Sequence, residues 1–268
     1  MGILNVTPDS FYDGGRYSDP SAALDRAALM VREGADIIDI GGESARPGAL
    51  PVPAQEEMDR VCPVIEAVTS RFSVPVSVDT YKAVVAREAV RKGAAIVNDI
   101  SGFTFDGGMA STVAECGCYA VIMHTRGEPG TMQQDVRYDN VVAEVYARLR
   151  DLTGLAMRAG VKKEKIIVDP GIGFGKTLDN NYEIIFNLNC FRRLGFPVLI
   201  GLSRKSLLRK LFDDAEGTDL LLPTVALNAI AAERGADIVR VHDVRPHVAA
   251  LKPVDMIKRC SALHGCGN

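Results

Sequence analysis

Short runs of branched, apolar residues recur along the chain: Ile3 to Asn5, Ile37 to Ile40, Val76 to Val78, Ile96 to Asn98, Ala120 to Met123, Ile166 to Val168, Val198 to Gly201 and Ile238 to Val241. They are apolar almost throughout instead of alternating, which is the pattern of strands covered on both faces in a parallel sheet. Between them lie stretches of helical period, namely Ser21 to Arg32, Gln55 to Arg71, Ala83 to Lys92, Val141 to Ala159, Asp219 to Arg234 and Pro246 to Leu263. Gly34, Gly93, Gly160, Gly195 and Gly235 stand where a helix would end in the left-handed conformation. A Gly-Ala-(Asp/Ala)-Ile joint repeats at Gly34, Gly93 and Gly235, as expected of tandem βα units. Eight strands in 268 residues predict an α/β protein with a single (β/α)8 TIM barrel, preferred to a doubly wound open sheet, and one domain over residues 1–268.

Two segments rich in glycine and proline, Asn5 to Tyr17 and Gly41 to Pro53, follow the first and second strands and are too polar to be buried. They are expected to be long active-site loops that close as lids, carrying Asp9, Asp13 and Arg46. The run Ile166 to Thr177 ends its strand at Asp169, then places Pro170 before Gly171, Gly173 and Gly175. Its Gly175-Lys176-Thr177 ending imitates a phosphate-cradling loop, but Pro170 occupies the place of that motif's first glycine. Leu178-Asp179-Asn180-Asn181 is also expected to break the helix that should follow. The stretch reads as a strand emptying into a tight, ligand-touching loop, with Phe174 and Lys176 directed outward.

Catalytic groups in such a barrel stand just past the C-terminal ends of the strands. Those places hold Asn5, Gly41 to Arg46, Asp79, Asn98-Asp99, His124, Asp169, Ser203 to Ser206, and Arg240 with His242. Any one of these could be a helix cap, but so many together are hard to dismiss as caps. Asp79, Asn98 and Asp169 supply acceptors and one amide, the groups that hold a planar heterocycle with an amidine-like edge. Arg46, Lys205, Arg240 and His242 would hold phosphates, helped by a helix start at Ser206. His124 reads equally as a general base or a structural histidine, and no Ser-His-Asp or Cys-His pattern suggests a nucleophile.

Composition narrows the partners. A net charge of −3 gives no polybasic field, so neither nucleic acid nor a membrane surface is expected as a partner. The six cysteines lack a CxxC pair, which favours thiols in a reducing, cytoplasmic compartment over zinc or disulfides. No apolar run approaches the ~20 residues of a membrane span, the N-terminus does not read as a signal peptide, and Val6 argues against myristoylation.

Taken together, Asn5-Val6-Thr7-Pro8-Asp9-Ser10-Phe11 with Asp13-Gly14-Gly15, Gly41-Gly42-Glu43-Ser44, Arg46-Pro47-Gly48, Asp79-Thr80, Asn98-Asp99-Ile100, Asp169 to Thr177, Ser203-Arg204-Lys205-Ser206 and Arg240-Val241-His242-Asp243 resemble dihydropteroate synthase, in order and over nearly the whole chain. The resemblance implies a transferase of folate biosynthesis, the family that sulfonamides target. Such an enzyme joins p-aminobenzoate to 6-hydroxymethyl-7,8-dihydropterin diphosphate by SN1-like loss of pyrophosphate. It assigns pterin binding to Asp79, Asn98, Ile100, Met123, Asp169, Phe174, Gly201 and Lys205, and diphosphate binding to Asn5, Arg240 and His242. Asn5 would also be the protein's ligand to Mg²⁺, and Arg46, Pro47, Phe174 and Ser206 would enclose p-aminobenzoate. Lys205, Arg46, Asp13 and Asp9 would be catalytic, and the implied assembly is a homodimer. A pterin-dependent methyltransferase or a non-catalytic pterin-binding paralogue would share part of this set. The chain departs from the family's usual pattern at Ala45, where Thr is usual, and at Tyr81 and Ala83, where Ser and Pro are common. It also opens at Met1, just before Asn5, so a short first strand and a few missing residues are expected.

Overall fold

Branched residues restrict their own side-chain torsions and fit a pleated surface, so each apolar run folds as a strand of three to five residues. A computed structural model of the chain describes residues 1–7, 20–44, 50–127, 132, 136–212 and 219–264. Its strands are β1 (Gly2–Asn5), β2 (Ile38–Gly41), β3 (Val76–Asp79), β4 (Ile96–Asp99), β5 (Tyr119–Met123), β6 (Ile166–Asp169), β7 (Leu199–Gly201) and β8 (Ile238–Arg240). Its α-helices are α1 (Pro20–Arg32), α2 (Ala54–Arg71), α3 (Ala83–Arg91), α4 (Met109–Cys116), α5 (Val141–Arg158), α6 (Leu178–Phe186), α7 (Ser206–Arg209), α8 (Leu221–Glu233) and α9 (Val244–His264).

Strands β1 to β6 pair in parallel in chain order, and β7 pairs in parallel with β8. Two bridges close the ring, Val168 with Val198 and Gly2 with Val241. At those seams Val168 N donates to Pro197 O and Ile3 N to Val241 O, each at 2.9 Å. Among the described residues the result is an α/β barrel of eight parallel strands, as the apolar pattern predicts.

Side chains in a strand alternate between faces, which sorts these residues into two cores. Ile38, Ile40, Val76, Val78, Val97, Ile122 and Val168 face outward into a core shared with the helices. Met1, Ile96, Val121, Ile167 and Leu199 fill the barrel interior. Two residues beyond the inward apolar position, β4, β5, β6 and β7 present Asn98, Met123, Asp169 and Gly201. The ladder sets Asn5, Gly41, Asp79 and Asn98 side by side on β1 to β4, and Gly201 beside Arg240 on β7 and β8. A single alternation thus carries the barrel from its apolar floor to a polar rim.

The helix ends follow local rules. Gly34, Gly93, Gly160, Gly195 and Gly235 all adopt positive φ, as placed from sequence. Asn140 caps α5 by accepting from Ala143 N at 2.9 Å. Asp219 lies outside α8 and accepts from Leu221 N at 2.9 Å, and the helix starts at Leu221, two residues later than predicted. The expected break at Leu178 is not there. Thr177 and Asn180 form a reciprocal capping box, and α6 starts at Leu178, because Asn three residues past a threonine can close the box as Glu or Gln does. Helix α4, of eight residues, and the single turn α7 are too short for a clear 3.6-residue period, and α6 falls where a break was expected.

Candidate active site

The polar rim is tied together by charge. Arg240 reaches across the barrel from β8, its Nε donating to Asp39 Oδ2 at 2.5 Å and its Nη2 to Asp79 Oδ2 at 2.6 Å. Asn98 Nδ2 donates to the same Asp39 oxygen at 3.1 Å. Asp39 is fully buried, and its Oδ1 has no partner among the described residues. Burial lifts Asp79 to about 7 against the pull of Arg240, with Asp39 adding to the rise. The two carboxylates hold Arg240 firmly in its charged form.

Asn5 and Asp79 flank Gly41. A methyl group built on Gly41 would lie 3.6 Å from Asn5 Oδ1 and 3.7 Å from Asp79 Oδ2. Gly201 leaves similar room opposite, where a Cβ would stand 3.8 Å from Lys205 Nζ. Met123 and Ile100 are buried apolar neighbours at the ends of β5 and β4.

The loop after β6 supplies the next wall. Asp169 Oδ1 accepts from Gly171 N at 2.7 Å, and burial raises this carboxyl while Lys205 pulls it back. Gly171, Gly173 and Gly175 all have positive φ, and a Cβ on Gly171 would sit 1.8 Å from His124 O. Lys205 donates to Ile172 O and lies 4.8 Å from the centre of the Phe174 ring. Burial brings Lys205 down to about 8, opposed by Asp169. Beside it, His242 Nδ1 is 2.9 Å from Ser203 Oγ, and Arg26 donates to His242 O at 2.8 Å. Arg204, at φ +58°, forms a two-pronged pair with Asp243 that ties the loops after β7 and β8 together.

Two expectations need correction, and one open reading gains a direction. Lys176 does not point outward; it is 3% exposed and donates to His124 Nδ1, Gly171 O and Phe174 O at 2.9, 2.8 and 3.0 Å. Burial lowers it to about 7, with Asp169 opposing. His124 is not a poised base, since burial and then the Lys176 charge push it down to about 2. Ser206 opens only the four-residue α7, so an aligned helix dipole contributes little there. Asp9, Asp13, Ala45, Arg46 and Pro47 lie outside the described residues.

Sequence reasoning missed Asp39 because it sits inside an apolar run, although period-2 alternation from Gly41 places it inward. It also missed how the base of the second loop is fixed. Glu43 accepts from Tyr81 Oη and Lys82 Nζ at 2.5 Å each, and from Val52 N at 2.9 Å. Lys82 also donates to buried Glu57 at 2.5 Å. Tyr81, a departure from the usual serine, is therefore part of the anchor beneath that loop.

A barrel with acidic, amide and basic groups on one rim defines a class, and the comparisons agree. Residues 1–242 match the pterin binding enzyme family, and the chain belongs to it. It is 45% identical over 255 residues to dihydropteroate synthase of Escherichia coli K12, spanning 95% of this chain and 90% of that one. The Yersinia pestis dihydropteroate synthase, solved as a sulfonamide drug complex, superposes with a TM-score of 0.90 at 42% identity, covering 97% of this chain and 94% of that one. The Xanthomonas albilineans dihydropteroate synthase solved with 7,8-dihydropteroate gives 0.85 at 39% identity, covering 96% and 92%. Within its class the chain is one of the dihydropteroate synthases.

Proposed function

We propose that this enzyme condenses 6-hydroxymethyl-7,8-dihydropterin diphosphate with p-aminobenzoate, giving 7,8-dihydropteroate and pyrophosphate, with residues 1–268 acting as one domain. The observation that carries this reading is the mixed rim, where acceptors on β2, β3, β4 and β6 stand with cations from β8 and the loop after β7. The free Oδ1 of Asp39 and the buried carboxyl of Asp169 suit a ligand that brings ring N–H and amino donors. Asp79, Asn98 and Asp169 would grip the polar edge of the pterin, with Ile100, Met123, Gly201 and Phe174 against its faces. Asn5, Arg240 and His242 would take the diphosphate, while Arg46, Pro47, Phe174 and Ser206 enclose p-aminobenzoate.

Loss of pyrophosphate leaves a methylene cation conjugated with the pterin. The site must therefore stabilise charge on the leaving group and exclude water from the cation. Lys205 suits the first task, because its ammonium lies over the Phe174 ring and feels both the Asp169 carboxylate and the Arg240 guanidinium. The loops after β1 and β2, with Asp9, Asp13 and Arg46, would serve the second. The arylamine is nucleophilic without a strong base, which agrees with a neutral, buried His124.

Asn5 offers one amide oxygen beside Asp79 at the rim, and no group of three or more His, Cys, Asp or Glu among the described residues could hold a metal. That donor set fits a Mg²⁺ carried mainly by substrate phosphates, with Asn5 as protein ligand. When bound, Mg²⁺ would neutralise charge on the leaving diphosphate.

The expected assembly is a homodimer. Helix α8 is apolar nearly all round, and its outward positions Leu222, Ala226 and Ile230 form an i, i+4 stripe, with Leu222 77% and Ile230 51% exposed. No helix among the described residues is long and apolar enough to cross a membrane.

The reaction is tested by pyrophosphate release with Mg²⁺ and both substrates, which should require p-aminobenzoate. Lys205→Ala should cost ~2 kcal/mol or more in kcat/KM, since it removes a cation near both ring and leaving group. Activity within twofold of wild type would remove Lys205 from the catalytic set.

A further inference from the structure

Lys176 sits in the Gly-Lys-Thr sequence that imitates a phosphate loop, yet its ammonium is buried against its own loop and His124. It is buried, and in its ammonium form its three N–H groups go to three neutral acceptors. Two go to carbonyls of its own loop, Gly171 O and Phe174 O, and one to His124 Nδ1 on the loop after β5. Gly171 O has a second donor, Phe174 N at 3.2 Å, so Phe174 O depends more on Lys176; a buried carbonyl without a donor is costly, and no neutral side chain offers three diverging donors from one atom.

The opposite side of the same loop meets Lys205. The Ile172 carbonyl, between the two that Lys176 gathers, accepts from Lys205 Nζ, and the Phe174 ring lies beneath that ammonium. The glycines let the loop lie flat against its neighbour, since a Cβ on Gly175 would come within 2.6 Å of Arg126 O. Glycines permit this path but do not fix it; a donor at the loop's centre does.

We infer that Lys176 is a positioning residue: by drawing the Gly171 and Phe174 carbonyls inward, it turns the Ile172 carbonyl and the Phe174 ring toward Lys205 and so sets where that cation stands. The inference rests on the reading of Lys205 as a site cation.

A kinetic double-mutant cycle separates the two. The variants are Lys205→Ala, Lys176→Met and the pair, with kcat/KM for the pterin diphosphate read by pyrophosphate release and folding checked by thermal unfolding. Lys205→Ala alone should lose about 30-fold and Lys176→Met alone about tenfold. In the Lys205→Ala background, Lys176→Met should change kcat/KM by no more than about twofold, because residues that act as one unit are not additive. Losses that multiply in the pair overturn the positioning role while leaving the function intact. So does a Lys176→Met that lowers only the melting temperature. A silent Lys205→Ala overturns the assignment of Lys205 and the inference with it. Should Lys176→Met not fold, His124→Leu removes one of the three acceptors. It should lose about threefold alone and nothing beside Lys205→Ala; equal losses in both backgrounds overturn the inference.

Discussion

Single side chains at this rim titrate where the enzyme would work. Lys205 is brought from 10.5 to about 8 by burial, so its positive charge is present at neutral pH and fades above that value. Wild-type kcat/KM should therefore fall as pH rises through about 8, and Lys205→Ala should lose that limb; a limb that persists would assign it elsewhere. Asp79 moves the other way, from 3.8 to about 7. Between about pH 4 and 7 the folded chain keeps a proton that the unfolded chain has released, so this group's contribution to stability is full at low pH and lost as pH rises through 7. Urea midpoints of wild type and Asp79→Asn, measured from about pH 4.5 to 7.5, should show the wild type losing ground to the variant as pH rises. A constant difference would mean that Asp79 is already ionised at low pH. The identities of Asp79, Asn98, Asp169 and Lys205 were legible in sequence because each ends an apolar run or sits in a compact polar motif. Their charges were not, since burial and the positions of Asp39 and Arg240 depend on chain segments far apart.

Loops and helices carry the same lesson one level up. Gly171 combines φ +70° with a Cβ position 1.8 Å from His124 O, a backbone atom that cannot swing away. Gly171→Ala should destabilise the chain by about 3 kcal/mol or more, measured by denaturant unfolding, whereas a loss below about 1 kcal/mol would mean that the loop can shift. The anchor of the second loop should behave as a buried ion network. Glu57, 1% exposed, loses its ammonium partner in Lys82→Met, at a cost of about 3 kcal/mol, and adding Glu57→Gln should recover most of it. Failure of the second change to rescue the first would show that the charge pairing is not the cause. Helix ends marked by glycine were readable, because a positive φ is a local demand. The capping box at Thr177 and the inward turn of Lys176 were not: one uses an unusual Asn, and the other depends on a carbonyl cage that exists only once two loops meet.

For the molecule as a whole, the apolar stripe of α8 makes the proposed homodimer directly testable. On that proposal the wild type should sediment as a dimer and Leu222→Asp with Ile230→Asp as a monomer; a monomeric wild type would overturn the dimer, and a variant unchanged from a dimeric wild type would remove α8 from its interface. The eight-unit barrel, the boundaries of its strands to within one residue at most ends, and the C-terminal rim as the place of chemistry were all determined by sequence, because period-2 and 3.6-residue patterns and glycine stops are properties of adjacent residues. The strand-borne members of the rim follow from alternation along each strand, whereas Lys205 and His242 stand in the segments after β7 and β8. What only the tertiary structure decided is how the rim groups are wired: Asp39 under Asn98 and Arg240, Lys82 between Glu43 and Glu57, and Lys176 behind the loop that faces Lys205. Closing the barrel brings β8 beside β1, and across its interior Arg240 meets carboxylates from β2 and β3, separations of 201 and 161 residues that no local pattern encodes.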